Sequence, residues 1–492
     1  MINDIPTLFT NKKDILTYDF NKIDDLVGSD IDHYEFIDNL SVPDPDKTLS
    51  RRYFKKIMLG KNHYFIQKTM EQLKTTSNIC LPLLHQWLST ETEKISQINN
   101  LVIISDPNDA FLICKNHIKK APIFKSFLYD SIISTSDNDD WKEMRGDMNM
   151  AFIPSLSLKK KVFPISLKVA EDCVTLLQTM SHHYTESVNM SEFFLNETMK
   201  QLQKGMFGFS TEFEQETNKK IRDAFSGINI DYTQEFSIKG LQEIEKSKGP
   251  LSKILDTEVT KKNIGNILIF AFAGHDTTGH TLTWLLYELC KNPIYKQRLI
   301  KEIDEYWSHH DEPTYDTLHE LPFMTKCITE TLRLWPALAN GTYRELEHDE
   351  VITGTDGSPV TIKKGTYCQI INWTRHRSEE LWGSDVNTFN PHRDFKDEEI
   401  WSYKGFGTTN QQSDRFSPFT YGPRNCVGKN FSHMEMRLIL LYIFKDHDFY
   451  LSQEQEKVDV HSLNLFTMGP QSMKKNELLG LYVNVVPRKS RL

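Results

Sequence analysis

Near its C-terminal end the chain reads Phe419-Thr420-Tyr421-Gly422-Pro423-Arg424-Asn425-Cys426-Val427-Gly428. One cysteine stands between two glycines, with an arginine two residues before it and an aromatic residue at the head of the turn. Glycine tolerates backbone geometry and close approach that other residues exclude, so Gly422 and Gly428 mark a loop that a large group can approach. The residues that follow, from Lys429 to Leu440, have the apolar spacing of a helix. A helix starting there sets its positive end beside the sulfur and favours a thiolate. A buried structural cysteine is the ordinary fate of a free cysteine, but it explains neither the glycines nor the arginine at these offsets.

This block resembles the haem-thiolate signature of the cytochrome P-450 superfamily. The resemblance implies that Cys426 is the axial ligand to the iron of haem b (iron protoporphyrin IX). It further implies that Arg424 pairs with a haem propionate, that Gly422 and Gly428 clear space for the macrocycle, and that Phe419 covers the sulfur.

Upstream, Ile264 to Thr281 is apolar in its first half and polar in its second, too short for a membrane span and interrupted by His275 and Asp276. Alone, an acid followed by two threonines in a helix is most often ordinary hydrogen bonding. Its Ala273-Gly274-x-Asp276-Thr277-Thr278 core is similar to the family's oxygen-activating helix, and the glycine and alanine there are expected to bring that helix close to the haem face. On that resemblance Thr277 holds dioxygen and its water, Asp276 brings protons in from solvent, and Thr278 supports the helix.

Glu330 and Arg333, in Glu330-Thr331-Leu332-Arg333, share a helix face by their spacing. Exposed pairs of this kind are common and weak. The resemblance adds Arg393, in Phe389-Asn390-Pro391-His392-Arg393-Asp394-Phe395, as the third member of a buried structural network. The chain departs from the family here: His392 replaces the usual glutamate, and Asp394 separates the arginine from Phe395. Trp141 and Arg145 share one face of a helix that Asp139 and Asp140 are placed to start. An aromatic–cation contact is their bland reading; in the family such a pair reaches haem propionates. Arg344 resembles a further propionate contact, and residues 337 to 342 are expected to line the substrate pocket.

Bulk properties bound the rest. A chain of 492 residues with a formal charge of -9 has no global attraction for nucleic acid, and no basic block interleaved with aromatics appears. Seven scattered cysteines with no C-x-x-C pair indicate neither a disulfide framework nor zinc. The pairs His182-His183 and His309-His310 lack the spacing of metal ligands and read as solvated histidines. The start of the chain shows no signal-peptide pattern and no apolar run that spans a bilayer. A cytoplasmic location, or a peripheral one on a cytosol-facing membrane, is therefore expected.

Residues 1–75 read as a polar extension and 76–492 as one catalytic domain, because the motifs from 141 to 428 belong to one site. Arg51 to Met58 mixes basic and apolar residues; a solvated helix packed on the domain is favoured over a peripheral membrane or redox-partner contact. Helical patterns dominate from about residue 108 to 340. The segment from Leu101 to Ile104, Val360 to Ile362 and Tyr367 to Ile371 read as strands. The expected class is mostly α with a minor β region, in the cytochrome P-450 fold. Only residues 209 to 250 separate Gly208 from Leu251, so the lid-helix region is shortened.

What the resemblance implies is a haem-thiolate monooxygenase that inserts one atom of O2 into a lipophilic substrate, a fatty acid or sterol-like molecule being favoured. No flavin or nicotinamide fingerprint is visible, so electrons come from a separate flavoprotein reductase or ferredoxin, with Lys142, Lys429 and Arg437 as docking candidates. Two rivals are a haem-binding sensor or carrier without turnover, and a haem-thiolate isomerase that does not use oxygen. The Asp276-Thr277 pair argues against both.

Overall fold

The computed structural model describes residues 62–84, 98–226, 231–401, 411–458, 460–464, 467–474 and 477–488. It is predominantly helical with small sheets, as the sequence patterns lead one to expect. Strand β1 (Ile79–Leu84) pairs antiparallel with β2 (Ile98–Ile104), which pairs parallel with β4 (Tyr367–Ile370), and β3 (Thr342–Glu345) closes the sheet in the order β1-β2-β4-β3. A run of Val and Ile buried on both faces supplies β2, whose Leu101 to Ile104 have no accessible surface.

Helix α1 (Asn62–Leu73) packs on this sheet through Ile66 and Met70. The boundary placed at residue 75 is thereby corrected: residues 62–75, polar by composition, carry an apolar stripe at helical spacing that is built into the domain. The segment Arg51 to Met58 lies outside the described residues. Helix α2 (Pro107–Asn116) starts where Asp106 accepts the N–H groups of Asn108 and Asp109.

The large helical body surrounds α8 (Lys261–Lys291), a 31-residue helix buried along most of its length. It packs most extensively on α5 (Met190–Gln201). A Cβ on Gly274 would lie 2.7 Å from Leu202 Cδ1, and one on Gly279 would lie 2.8 Å from Leu195 Cδ2. These glycines therefore admit the neighbouring helix.

Residues 209 to 250 hold two helices, α6 (Thr211–Phe225) and α7 (Tyr232–Ile244). They lie against α8, with Phe225 at 5.2 Å from Phe272 and 5.7 Å from His275 between ring centroids. No helix among the described residues is long and apolar enough to cross a membrane.

Candidate functional site

The cysteine loop is closed by its own backbone: the N–H of Cys426 donates to Phe419 O at 2.9 Å. Gly422 sits at φ +64°, and a Cβ there would approach Cys114 O to 2.8 Å. The glycine is thus required by the turn and by helix α2 behind it. A Cβ on Gly428 would lie at ordinary contact distance, 3.8 Å from Phe152 and 3.9 Å from Cys426 Sγ. The contribution of Gly428 is its N–H, which together with that of Lys429 stabilises negative charge on the sulfur.

Helix α12 (Lys429–Asp446) begins directly after this loop, as its spacing predicts. Its first turn points the helix dipole at Cys426. The sulfur-bearing residue has accessible surface, yet burial is the leading influence on the thiol and pushes its pKa up. Both observations hold for a side chain that faces a recess inside the fold. Arg145 and Lys429 oppose the rise by their charge.

Behind the loop, Phe419 lies 5.4 Å from the His433 ring, which stacks on Trp401 at 5.0 Å, and Arg437 lies 4.2 Å over the same indole. Arg437 has no accessible surface, and its Nη1 donates to His433 Nδ1 at 2.9 Å. Lys429 is buried too, its pKa lowered to about 8 by burial. Neither can dock a partner, so both are withdrawn; a helix that starts at the sulfur carries its first turns into the core. Lys142 remains at the surface, paired with Asp139 at 2.9 Å.

On helix α3 (Asn138–Phe152) the cap is Asp137, whose carboxylate accepts the N–H groups of Asp139 and Asp140. Those two acids instead occupy the first turn. The buried indole of Trp141 lies 4.4 Å from the Arg424 guanidinium. Arg145 is committed elsewhere, to Asn425 of the cysteine loop. Both of its terminal nitrogens donate to the loop that presents the sulfur, and each keeps a second N–H.

Arg344 and Arg424 do converge, and with them comes Lys120, which the sequence reading did not single out. Lys120 Nζ donates to Thr342 Oγ1 at 2.5 Å, and Arg344 Nη1 donates to the same oxygen at 2.9 Å. Arg424 spends its two terminal nitrogens on Ile132 O and Thr135 O. Arg344 Nε and Nη2 and Arg424 Nε are buried with no hydrogen-bond partner. Burial, reinforced by the charges of Arg344 and Arg424, holds Lys120 well below its usual range. Burial and the neighbouring Arg344 bring Arg424 down to about 9. Unspent donors on buried cations cost several kcal/mol unless an anion meets them. The cluster fits a group that brings carboxylates into the interior, and with the thiol at a helix start it fits haem.

The buried ion network is present. Arg333 donates to both carboxylate oxygens of Glu330, at 2.7 and 2.8 Å, and to His376 O. Arg393 reaches Glu330 at 3.4 Å but is held chiefly by Asp385, at 2.8 Å. The substituted His392 turns outward to Arg298, so the departure from the family pattern leaves the network intact. Of the residues expected to line the substrate pocket, Thr342 is taken up by the cation cluster and Ala339 is buried under α1 and β1.

On α8, Thr277 donates to Ala273 O at 2.8 Å, leaving its oxygen lone pairs to accept. Asp276 accepts a hydrogen bond from Thr467 and lies 3.9 Å from His275 Nε2. Burial lowers the pKa of His275 to about 4. Thr278 lies beside the carboxyl of Glu435 without closing a well-formed hydrogen bond, and burial pushes that acid well above its usual range.

A second cluster, His117, His348 and Glu350, has the look of a metal site. However, His117 Nδ1 accepts the N–H of Glu347 at 2.9 Å, which puts the ring proton on Nε2, facing Glu350 at 3.5 Å. The lone pair a metal needs is absent at that position.

Residues 231–475 match the family model described as Cytochrome P450. Cytochrome P450 3A12 of Canis lupus familiaris is 33% identical over 208 residues, 42% of this chain and 38% of the relative. Cytokinin hydroxylase of Arabidopsis thaliana is 34% identical over 200 residues, covering 40% of this chain and 35% of the relative. Cytochrome P450 6B1 of Papilio polyxenes is 31% identical over 223 residues, 45% of this chain and 41% of the relative. The chain thus spans only about two fifths of the length of these relatives. The family match includes Asp276, Thr277, Glu330, Arg344, Arg424 and Cys426, while Trp141 and Arg145 lie outside it.

Proposed function

This chain belongs to the cytochrome P450 superfamily, and from that premise we propose that it is a haem-thiolate monooxygenase. Its substrate is a lipophilic small molecule, and its electrons come from a separate flavoprotein reductase or ferredoxin. The observation that carries this reading is the pairing of Cys426, at the start of α12, with three buried cations, Lys120, Arg344 and Arg424, of which the two arginines keep donors without a partner. The cofactor is haem b, because the sequence has no C-x-x-C-H run for covalent attachment. When bound, haem supplies the iron at which dioxygen is reduced, and a thiolate ligand favours cleavage of its O–O bond.

The protein's own groups do the rest. Gly428 and Lys429 hold negative charge on Cys426 with their N–H groups, and Arg145 fixes the residue before it. Arg344, Arg424 and Lys120 anchor and neutralise the propionates. Asp276 moves protons toward the site and Thr277 accepts a hydrogen bond there, so that protons arrive at a defined place. The aromatic residues Phe225, Phe270 and Phe272, on the lid and α8, exclude water and suit an apolar ligand. A fatty acid or sterol-like molecule is the substrate class we favour.

The test is the carbon monoxide spectrum of the reduced protein, followed by turnover with a surrogate reductase. A thiolate-type Soret band and hydroxylated product from lipids or sterols are expected. A band of the histidine-ligated type would overturn the ligand assignment, and peroxide without product across the panel would favour a non-catalytic haem carrier.

A further inference from the structure

The hydrogen bonds around Asp276 reach past the acid and threonine of α8. Strands β5 (Val460–Asn464) and β6 (Met468–Lys474) form an antiparallel hairpin, and Thr467 stands just before the second of them. Its hydroxyl donates to Asp276 Oδ2. Thr467 Oγ1 itself lies 3.0 Å from His280 Nδ1. His280 is one turn along α8 from Asp276, and its Nδ1 is 3.7 Å from Asp276 Oδ2, too long for a direct bond. Thr467 therefore bridges the two.

The bridge is held from both sides. Met468 N donates to Ala337 O at 2.8 Å, and Met468 O accepts from Trp284 Nε1 at 3.0 Å, which fixes the residue after Thr467. The imidazole occupies space that a side chain at 469 would fill: a Cβ on Gly469 would lie 2.5 Å from His280 Nε2 and 2.6 Å from Cδ2. Thr467 is 4% and His280 9% exposed, so the chain of bonds is shielded from bulk water except at the imidazole margin.

We propose that His280 and Thr467 are the relay and positioning residues that supply protons to Asp276. This inference rests on the reading of Asp276 as the proton-bearing acid of a haem-thiolate site. The step balances within the chain. Imidazolium His280 gives its Nδ1 proton to Thr467 Oγ1 as that hydroxyl gives its own to Asp276 Oδ2, leaving neutral imidazole, an intact threonine and a carboxylic acid. A hydronium ion of the solvent then returns a proton to the imidazole and leaves as water. A histidine is suited to that end of the path because its ring has two nitrogens, one to receive a proton and one to hand it on.

Among the described residues, His275 and Arg222 also bear on this site. His275 lies against Asp276 on α8, but its Nδ1 is bound to Ala271 O at 2.7 Å and it stays neutral at pH 7, so it holds the acid without feeding it. Arg222, on the lid helix α6, acts on His275 by its charge and is paired with Glu192 at 2.7 Å.

The experiment uses the haem-loaded protein in four forms: wild type, Thr467→Val, Thr467→Ser and His280→Gln. Its readouts are the C–O stretch of the reduced carbon monoxide complex against pH, and the share of electrons lost to peroxide. The wild type is expected to show a pH-dependent stretch that Thr467→Val and His280→Gln abolish and Thr467→Ser restores. Coupled turnover should fall by about tenfold in the two disabling variants, less than loss of a direct general acid costs. A Thr467→Val protein with the thiolate-type Soret band, the wild-type pH dependence and unchanged peroxide loss would overturn the relay and leave the monooxygenase reading standing. Loss of the thiolate-type band in the wild type would instead sink the reading on which the relay rests.

Discussion

Arg145 grips Asn425, the residue before the candidate iron ligand, through two bonds: Nη1 donates to the backbone carbonyl at 2.5 Å and Nη2 to Oδ1 at 2.7 Å. A guanidinium can hold both atoms at once because its donors lie in one plane. Its charge also opposes the rise in the Cys426 pKa.

Replacing Arg145 by lysine keeps the charge and loses the fork, whereas alanine loses both. Arg145→Ala is expected to destabilise the haem-loaded protein by about 2 kcal/mol, as the loss of charged hydrogen bonds does. It should also raise the fraction of carbon monoxide complex with a protonated sulfur. Arg145→Lys should recover part of the thiolate fraction and less of the stability. Denaturant titration and the reduced carbon monoxide spectrum report the two effects separately, and equal behaviour of both variants would refute the clamp.

Arg344 makes the opposite kind of prediction. Its Nε and Nη2 are buried without partners, beside Lys120 and Arg424. Arg344→Leu should stabilise the haem-free protein by about 1–3 kcal/mol, since an unpaired buried cation is replaced by an apolar side chain. The same change should speed haem loss to an acceptor apoprotein about tenfold or more, one lost charge-assisted contact's worth. If haem-free stability and haem retention rise or fall together, the cluster is not an anion site.

Glu288 gives a pH dependence. Trp335 Nε1 donates to its carboxyl at 2.7 Å, but burial dominates and raises its pKa from 4.5 to about 7. The folded state therefore binds the proton more tightly than the unfolded chain. Stability from this group is fully present below pH 4.5 and is lost as pH rises through about 7. The loss amounts to about 3 kcal/mol at completion. Glu288→Gln keeps an acceptor for Trp335 and removes the titration. Its unfolding free energy above pH 7 should exceed that of the wild type, and the advantage should vanish below pH 5. An advantage that persists at low pH would show that Glu288 does not titrate as argued.

The sequence made legible what depends on local spacing. The cysteine loop, the helix after it, the Glu330–Arg333 face and the strands at 101–104 and 359–370 are set by neighbours within a few residues. Partners brought from afar were not legible. Lys120 meets Thr342 across 222 positions, and no motif surrounds it; a lysine followed by Ala121-Pro122 in a polar turn is an ordinary surface pattern. Thr467 reaches Asp276 across 191 positions. Arg437 and Lys429 mislead for a related reason: a basic residue reads as exposed, and only the packing of α12 shows that it is not. Asp137, in turn, lies one turn before the acids that drew attention to that helix.

Gly341 joins the fold to the site most directly. It sits at φ +66°, and a Cβ there would lie 1.7 Å from Ile370 O, inside the pairing of β3 with β4. A left-handed backbone costs a non-glycine residue about 1–2 kcal/mol. The overlap with a strand carbonyl adds to that, because β4 is hydrogen-bonded to β2 on its other edge and has little room to retreat. Gly341→Ala should therefore destabilise the protein by about 3 kcal/mol or more, in the range reserved for backbone strain in a core. The neighbouring Thr342 holds both Lys120 and Arg344, so the strain should displace the cation cluster. Haem loss is expected to accelerate alongside the fall in unfolding free energy, while the thiolate-type spectrum of the protein that keeps its haem should be unchanged. A spectrum shifted toward protonated sulfur would instead mean that β3 and the cysteine loop are mechanically coupled.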